Sequence, residues 1–169
     1  MINNKNLLVA FFVLLGVFTR VIPHPPNMTA IGAIALFSGT FFFDKRLAFI
    51  LPTIILLLSD LLLGFQPILS VYVSFLIIVS LGFILSKKHT AISIINMSLL
   101  ASLIFFIITN FSVFISSALY PKTMIGLIEC YTLAIPFFLN TLIGNVVYSL
   151  IMFYGFKFVQ NSSLLQHNS

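Results

Sequence analysis

The chain has 169 residues, of which 60% are hydrophobic and only 7% are charged, and its mean hydropathy is +1.20. A soluble domain carries about 25% charged residues, so this composition excludes a water-facing globular surface and predicts an integral membrane protein. The formal net charge of +5 does not indicate nucleic-acid binding, because the basic residues are distributed over short connections, where they set orientation in the membrane.

The first predicted membrane segment covers residues 7–19. It resembles a signal peptide, because Lys5 precedes an apolar run, but no small-x-small cleavage pattern follows, and an uncleaved helix is expected. Residues 20–27 read Arg-Val-Ile-Pro-His-Pro-Pro-Asn. They predict a stiff, non-helical elbow, since proline fixes φ and lacks a backbone donor.

Two further segments, at residues 28–43 and 47–63, follow the elbow. Asn27 is the predicted N-cap of the first of these, whose many small residues would let two helices approach closely. Residues 44–46, Asp-Lys-Arg, predict a tight charged turn between the two segments. Asp60 lies near the far end of the second one.

The remaining segments are predicted at residues 68–85, 91–108 and 136–157. Pro136 divides a run that is too long for one helix, so a short interfacial helix is expected at residues 126–134. The predicted fold class is all-α, a polytopic transmembrane bundle of six helices with that short helix before the last span. Residues 1–158 form a single predicted domain, and residues 159–169 a polar cytoplasmic tail that is expected to be disordered.

The basic residues predict the orientation of the bundle, because cytoplasmic loops carry an excess of Lys and Arg. With the N-terminus inside, six of the eight basic residues are cytoplasmic and two, Arg20 and Lys122, are outside. An even number of spans then places both termini inside. The expected location is the cell membrane, inner or cytoplasmic, with multiple passes.

In this topology nearly every costly polar group reaches the outer third of the membrane. An ionised group within a span is destabilising unless it is paired or solvated, so Asp60 needs a cavity, a partner or a proton. A cavity that is open to the outside, with both charge signs and aromatic walls, suits a small polar or zwitterionic molecule. The candidate substrate-binding residues are Arg20, His24, Asn27, Asp60, Asn110, Glu129, Tyr131 and Asn140.

Structural roles are alternatives for several of these groups. Arg20 and Asp60 form an ion pair under one alternative, and Arg20 extends to the headgroups under another. Asn140 and Asn145 are alternatively hydrogen-bonding contacts between helices. Cys130, the single cysteine, is expected to pack as a small apolar residue.

The motifs of several enzyme classes are missing from the sequence. It contains no Gly-x-x-x-x-Gly-Lys-Ser/Thr, no His-Glu-x-x-His and no Gly-x-Ser-x-Gly. We therefore expect neither an enzyme nor a bound metal or cofactor. The expected partners are membrane lipid and a small-molecule substrate from the outside.

Four stretches carry a resemblance to a known group of membrane proteins. These are residues 20–27, residues 30–39 (Ala-Ile-Gly-Ala-Ile-Ala-Leu-Phe-Ser-Gly), Ser59-Asp60 with Leu63-Gly64, and Cys130-Tyr131 with residues 134–144. They resemble an uncharacterised bacterial membrane family that is grouped with the S components, the substrate-binding subunits, of energy-coupling-factor transporters. The resemblance implies a six-helix bundle that captures a vitamin or related micronutrient near its outer face, and transport by toppling of the whole bundle.

The resemblance also implies an energising module made of transmembrane and ATPase subunits. S components typically dock this module through Ala-x-x-x-Ala on the first helix, a spacing that the first segment lacks. Three alternatives follow: the chain joins a standard module, works alone, or docks through a different helix. For the last of these, the candidate contact is formed by the small residues of the second segment, Ala30, Ala33, Ala35 and Gly39.

The predicted function is a transporter or substrate-capture subunit for uptake of a small micronutrient such as a vitamin or its precursor. One alternative is a structural or assembly subunit of a membrane complex, in contact through the small residues of the second segment. The other is a small intramembrane enzyme that uses Asp60, Glu129 or His24 as acid and base.

Overall fold

A computed structural model describes the backbone of residues 4–166 and the side chains of residues 11–158 and of Gln160. The described chain has seven helices and no strand. The helices are α1 (Asn4–Val21), α2 (Ile31–Phe41), α3 (Lys45–Leu63), α4 (Leu69–Leu85), α5 (Ala91–Ser116), α6 (Met124–Leu133) and α7 (Ile135–Gln166). The all-α prediction and the short helix before the last one are confirmed.

The elbow is shorter than predicted, because α1 continues through Arg20 to Val21. The non-helical assignment of these two residues was wrong. Pro23 disfavours helical geometry at the residue before it, Ile22, and the helix accordingly ends at Val21. Arg20 therefore projects from a rigid helix rather than from a loop.

Asn27 was predicted to be the N-cap of α2, and this prediction was wrong. It has a positive φ of 67°, and the Met28 N–H donates to the Pro25 carbonyl at 3.0 Å. This geometry matches a type II turn, which favours proline at its second position, here Pro26, and tolerates Asn at its third. The N-cap is Ala30, whose N–H donates to the Thr19 hydroxyl of α1 at 3.2 Å.

Three other predicted boundaries differ from the structure. Asp44 is the N-cap of α3 and accepts from the Arg46 N–H at 2.9 Å, so the predicted charged turn belongs to the helix start. Helix α5 ends at Ser116 instead of residue 108, and the Lys122 ammonium bonds the carbonyls of Phe114 and Ser117 at that end. Helix α7 continues to Gln166, so the predicted tail begins within a helix, while its residues 167–169 lie outside the described range.

Helix α2 lies at the centre of the bundle. Every residue from Ile31 to Gly39 is buried, and α1, α3, α4, α5 and α7 surround the helix. The small residues predicted as a docking face, Ala30, Ala33, Ala35 and Gly39, are inside this core. The prediction that they contact a partner subunit is therefore wrong for the folded chain, because their neighbours are its own helices.

A close helix crossing joins α2 to α4. A Cβ atom on Gly39 would collide with the Val79 carbonyl, and one on Gly82 would lie 2.8 Å from the Gly39 Cα. The Thr40 hydroxyl donates to the Gly82 carbonyl at 3.1 Å, which secures the same crossing. Small residues on both helices thus allow contact between their backbones.

Contacts between helix termini define two ends of the bundle. At the Arg20 end, Arg20 of α1 contacts Asp60 near the end of α3, and Asp60 contacts Tyr72 near the start of α4. At the His89 end, the His89 ring packs against Phe41 at the end of α2. Lys157 of α7 lines the same cavity as His89.

Three helices are long and apolar enough to cross a membrane: α3, α5 and residues 135–158 of α7. Helices α1 and α4 have 18 and 17 residues, close to the roughly 20 that a span needs. Helix α2 has only 11 residues, which corresponds to about 16 Å at 1.5 Å per residue. Large hydrophobic side chains such as Leu61 and Ile151 are exposed on the outside of the bundle, as expected for a lipid-facing surface.

Candidate functional site

An ion pair links α1 to α3 at the Arg20 end. The Arg20 Nη1 lies 2.7 Å from the Asp60 Oδ1, and the two side chains are 17% and 8% exposed. The same nitrogen donates to the Ser59 hydroxyl at 2.7 Å. The Tyr72 hydroxyl of α4 donates to the other Asp60 oxygen at 2.8 Å. The carboxylate is thus satisfied by two helices, as a buried charge requires.

A cavity of about 480 Å³ lies beside this pair. Its volume falls within the range of small-molecule sites, roughly 300–1,000 Å³. Most of its wall is apolar and includes Phe65, Phe75 and Phe105. Gly64, at φ 70°, ends α3 and turns the chain so that Phe65 lies in this wall.

Polar groups lie at the mouth of the cavity, at the end of α1 and on the segment that follows it. Arg20 of α1 lines the cavity, as do His24, Asn27 and Thr29 of the connection to α2. The His24 Nδ1 donates to the Ile22 carbonyl at 2.6 Å, so Nε2 is the ring nitrogen that remains for a ligand. Three predicted site residues are thus brought together by the fold.

Another polar side chain, that of Asn145 on α7, lies at the floor of the cavity. Its amide nitrogen donates to the Ser102 hydroxyl of α5 at 2.8 Å, and its side chain is buried. Gly32 of α2 makes room for it, since a Cβ there would collide with the amide oxygen. Thr141, one turn earlier on α7, also lines the cavity. Asn145 is therefore both the predicted contact between helices and part of the wall.

A smaller cavity of about 210 Å³ adjoins the first and shares Asn27, Val71, Phe105 and Thr141 with it. Asn110 lines this smaller cavity. The Asn110 amide donates to the Phe106 carbonyl one turn earlier at 2.8 Å, so its oxygen remains an acceptor for a ligand. Asn110 thus lies beside the main site rather than within it.

The other predicted site residues do not line either cavity. Asp60 is not part of the cavity wall, but it pairs with Arg20, which is. Glu129 is exposed on α6, and Asn140 is half-buried on α7. The Tyr131 hydroxyl donates to the Ile107 carbonyl at 2.7 Å, and its ring packs against Phe106. Two of these groups, Glu129 and Tyr131, lie on α6, apart from the main cavity.

Several residues of the site were missed by the sequence interpretation. Thr29, Gly32 and Thr141 line the cavity, and Tyr72 completes the Asp60 network. Thr141 and Asn145 are four residues apart and therefore share one helix face. That spacing could have indicated from the sequence that Thr141 and Asn145 face the same cavity. Nothing in the sequence shows that Tyr72 faces Asp60, because the pair depends on how α3 and α4 pack.

Cys130 packs in the interior, as predicted, and its thiol lies 3.5 Å from the Asn110 carbonyl. Burial raises the pKa of the Cys130 thiol above its usual value, and this exceeds the opposite effect of Lys122. The group is therefore held in the neutral thiol form. Within the part of the chain that the structure describes, no cluster of three His, Cys, Asp or Glu side chains could hold a metal ion.

The fold and the cavity define a class: an all-helical protein with membrane-length helices around a cavity that is polar at its mouth and floor. The chain belongs to DUF6580, a family of unknown function, whose model matches residues 1–167. Searches of curated proteins and of solved structures returned no match. The resemblance to S components stays a prediction, since the family match carries no functional assignment.

Proposed function

We propose that this protein binds a small polar micronutrient in the cavity beside Arg20 and takes part in its uptake. The observation that supports this most is the cavity itself, about 480 Å³, with Arg20, His24 and Asn27 at its mouth. A purely structural ion pair would explain Arg20 and Asp60. It would not explain a ligand-sized space whose wall holds five further polar side chains: His24, Asn27, Thr29, Thr141 and Asn145.

The proposed topology has six spans, α1 to α5 and α7, with both termini in the cytoplasm and α6 at the outer interface. The helix contacts at the Arg20 end and at the His89 end, together with the distribution of basic residues, support it. The short α2 is protected from lipid by its neighbours, so its length does not exclude this arrangement. The cavity then opens to the outside.

The chemistry of the wall indicates the ligand class. Arg20 is paired with Asp60, so the local charge is balanced, and no acidic side chain among the described residues lines the cavity. Apolar and aromatic walls suit a ring or a short aliphatic body, and the amides and hydroxyls supply hydrogen bonds at both ends. The expected ligand is neutral or zwitterionic, of vitamin or vitamin-precursor size.

The S-component-like role fits this site, since such subunits capture their ligand from the outside. If an energising module docks here, it contacts the outer surface of the bundle, because the small residues of α2 are buried. No described feature favours the assembly-subunit alternative, because its expected contact face lies in the core.

A thermal-shift scan tests ligand binding. The purified protein is screened against vitamins and their precursors, and a ligand present at 100 times its Kd should stabilise the protein by about 2.7 kcal/mol. The variant Val71→Trp should lose this stabilisation, because Val71 lies in the walls of both cavities and a larger ring would fill the space.

Val73→Trp is the matched control, because Val73 lies on the same helix and is 38% exposed on the bundle surface. It should keep the ligand response of the wild type. Equal loss in both variants would show that the response does not come from this cavity. No stabilisation by any compound of a broad panel would count against a capture function.

A further inference from the structure

A seam of polar residues runs between α5 and α7, below the floor of the main cavity. The Asn145 amide bonds the Ser102 hydroxyl, and the Phe138 and Phe106 rings pack at 4.9 Å. Residue numbers thus rise on one helix as they fall on the other, which makes the helices antiparallel. One turn further from the cavity, the same register places Ser149 opposite Ser98.

Both of these serines are unusual for this chain. They are 0% exposed, and their hydroxyls have no hydrogen-bond partner among the described residues. Most other helical hydroxyls donate to a carbonyl in the preceding turn, as Ser74 and Ser102 do. An unsatisfied buried hydroxyl costs about 1–3 kcal/mol. Ser98 and Ser149 are therefore free to bond a molecule that enters between the helices.

The seam leads to another cavity at the His89 end. One turn beyond Ser98 and Ser149, the register pairs Ile94 with Phe153, and both line this cavity of about 400 Å³. His89, Thr90 and Lys157 supply polar groups to its wall. From Asn145 to Phe153 the distance along α7 is only about 12 Å, at 1.5 Å per residue.

Aromatic rings close the seam at this end. Phe153 packs against Phe37 at 5.4 Å and against Phe41 at 5.3 Å, and Phe156 packs against both of those rings. At the other end the Asn145 side chain fills the space between α7 and Gly32. Ser98 and Ser149 thus lie between the Asn145 side chain at one end of the seam and the phenylalanine rings at the other.

We propose that the solute crosses the bundle along this α5–α7 seam, from the cavity beside Arg20 past Ser98 and Ser149 to the cavity beside His89. This rests on the proposed function and adds a route within a single chain. Opening requires rotation of the Asn145 amide, then displacement of the Phe37 and Phe153 rings, while α2 stays fixed by its crossing with α4. The route does not require the whole bundle to topple, and it makes the chain itself the conducting unit.

Thiol accessibility tests the seam without a known solute. Ser98→Cys and Ser149→Cys are each made in a Cys130→Ser background and reconstituted in liposomes. The probe is a small, charged, water-soluble methanethiosulfonate, which modifies only thiols that water reaches. We expect both variants to react at least tenfold faster than Ser38→Cys, since Ser38 is equally buried, is bonded to the Ala35 and Ala48 carbonyls, and lies on α2 facing α3.

Val147→Cys is a second control, because Val147 is 42% exposed on the outer surface of α7. It should react slowly, since a lipid-facing thiol is not ionised. If the thiols at positions 98 and 149 were modified no faster than that of Ser38→Cys, the proposed route along the seam would be overturned. That result would leave ligand capture intact if the thermal-shift response persists, whereas fast labelling without any ligand response would contradict the capture site alone.

Discussion

Replacement of Arg20 by methionine should lower the free energy of unfolding by about 3–5 kcal/mol. The reason is that Asp60, whose side chain is 8% exposed, would lose its only cationic partner among the described residues and remain as a buried charge. Tyr72 alone does not compensate an ionised carboxylate in a bundle surrounded by lipid. Denaturant titration of the purified protein in detergent measures the effect.

A double variant separates the charge from the packing. Arg20→Met with Asp60→Leu removes both charges and should recover most of the lost stability, because paired charges replaced by apolar groups are often neutral to stability. Arg46→Met is the control, since Arg46 is exposed at the start of α3, and it should stay within about 0.5 kcal/mol of the wild type. A loss below 1 kcal/mol for Arg20→Met alone would contradict a buried ion pair.

Gly82→Ala should have the second-largest effect and lower the free energy of unfolding by about 1–3 kcal/mol. The new methyl group would meet the Leu36 carbonyl and the Gly39 Cα of α2. Backbone atoms cannot move aside as the end of a side chain can, so α2 and α4 must separate. Because α2 is the buried centre of the bundle, its displacement affects every neighbouring helix.

Gly155→Ala provides the opposite expectation on α7. Nothing lies within 4 Å of a Cβ at that position, and alanine favours a helix over glycine by up to about 1 kcal/mol. This variant should be neutral or slightly stabilising in the same titration. If Gly82→Ala left the free energy of unfolding as little changed as Gly155→Ala does, the close α2–α4 crossing would not be needed for the fold.

The helices were predictable wherever apolar runs were bounded by strong local signals. The segment at residues 68–85 corresponds to α4 within one residue, because Pro67 and the Lys87-Lys88 pair bound it. The end of α5 was not predictable, since residues 109–116 carry no proline or glycine to stop a helix. Its end is set instead by Lys122, which reaches back to the last carbonyls from the following connection.

The burial of α2 could not be predicted from its residues alone. Its small residues indicate a close helix contact, but not whether the contact is internal or with another subunit. The partner helix is identified only by Gly82, which lies 43 residues after Gly39 and faces it across the crossing. The same limit applies to the site: the sequence placed Arg20 and Asp60 at one end, whereas the cavity wall from α4, α5 and α7 depends on packing.

Glu129, a predicted site residue, does not line the cavity, for a related reason. The sequence interpretation placed polar groups by depth in the membrane, and depth alone does not separate the interior of a bundle from its surface. Helix α6 packs beside α5 and α7, with Gly126 and Cys130 turned inward. Glu129 is exposed on that helix, which suits an interfacial position better than a cavity wall.

Native mass spectrometry of the protein, purified in mild detergent, tests the central claim most directly. We predict that the wild type and Val73→Trp retain one small molecule per chain, which is released on unfolding and identified by its mass, and that Val71→Trp carries none. A wild-type protein without any bound molecule, which also acquires none from the vitamin and precursor panel, would contradict a capture site in this cavity.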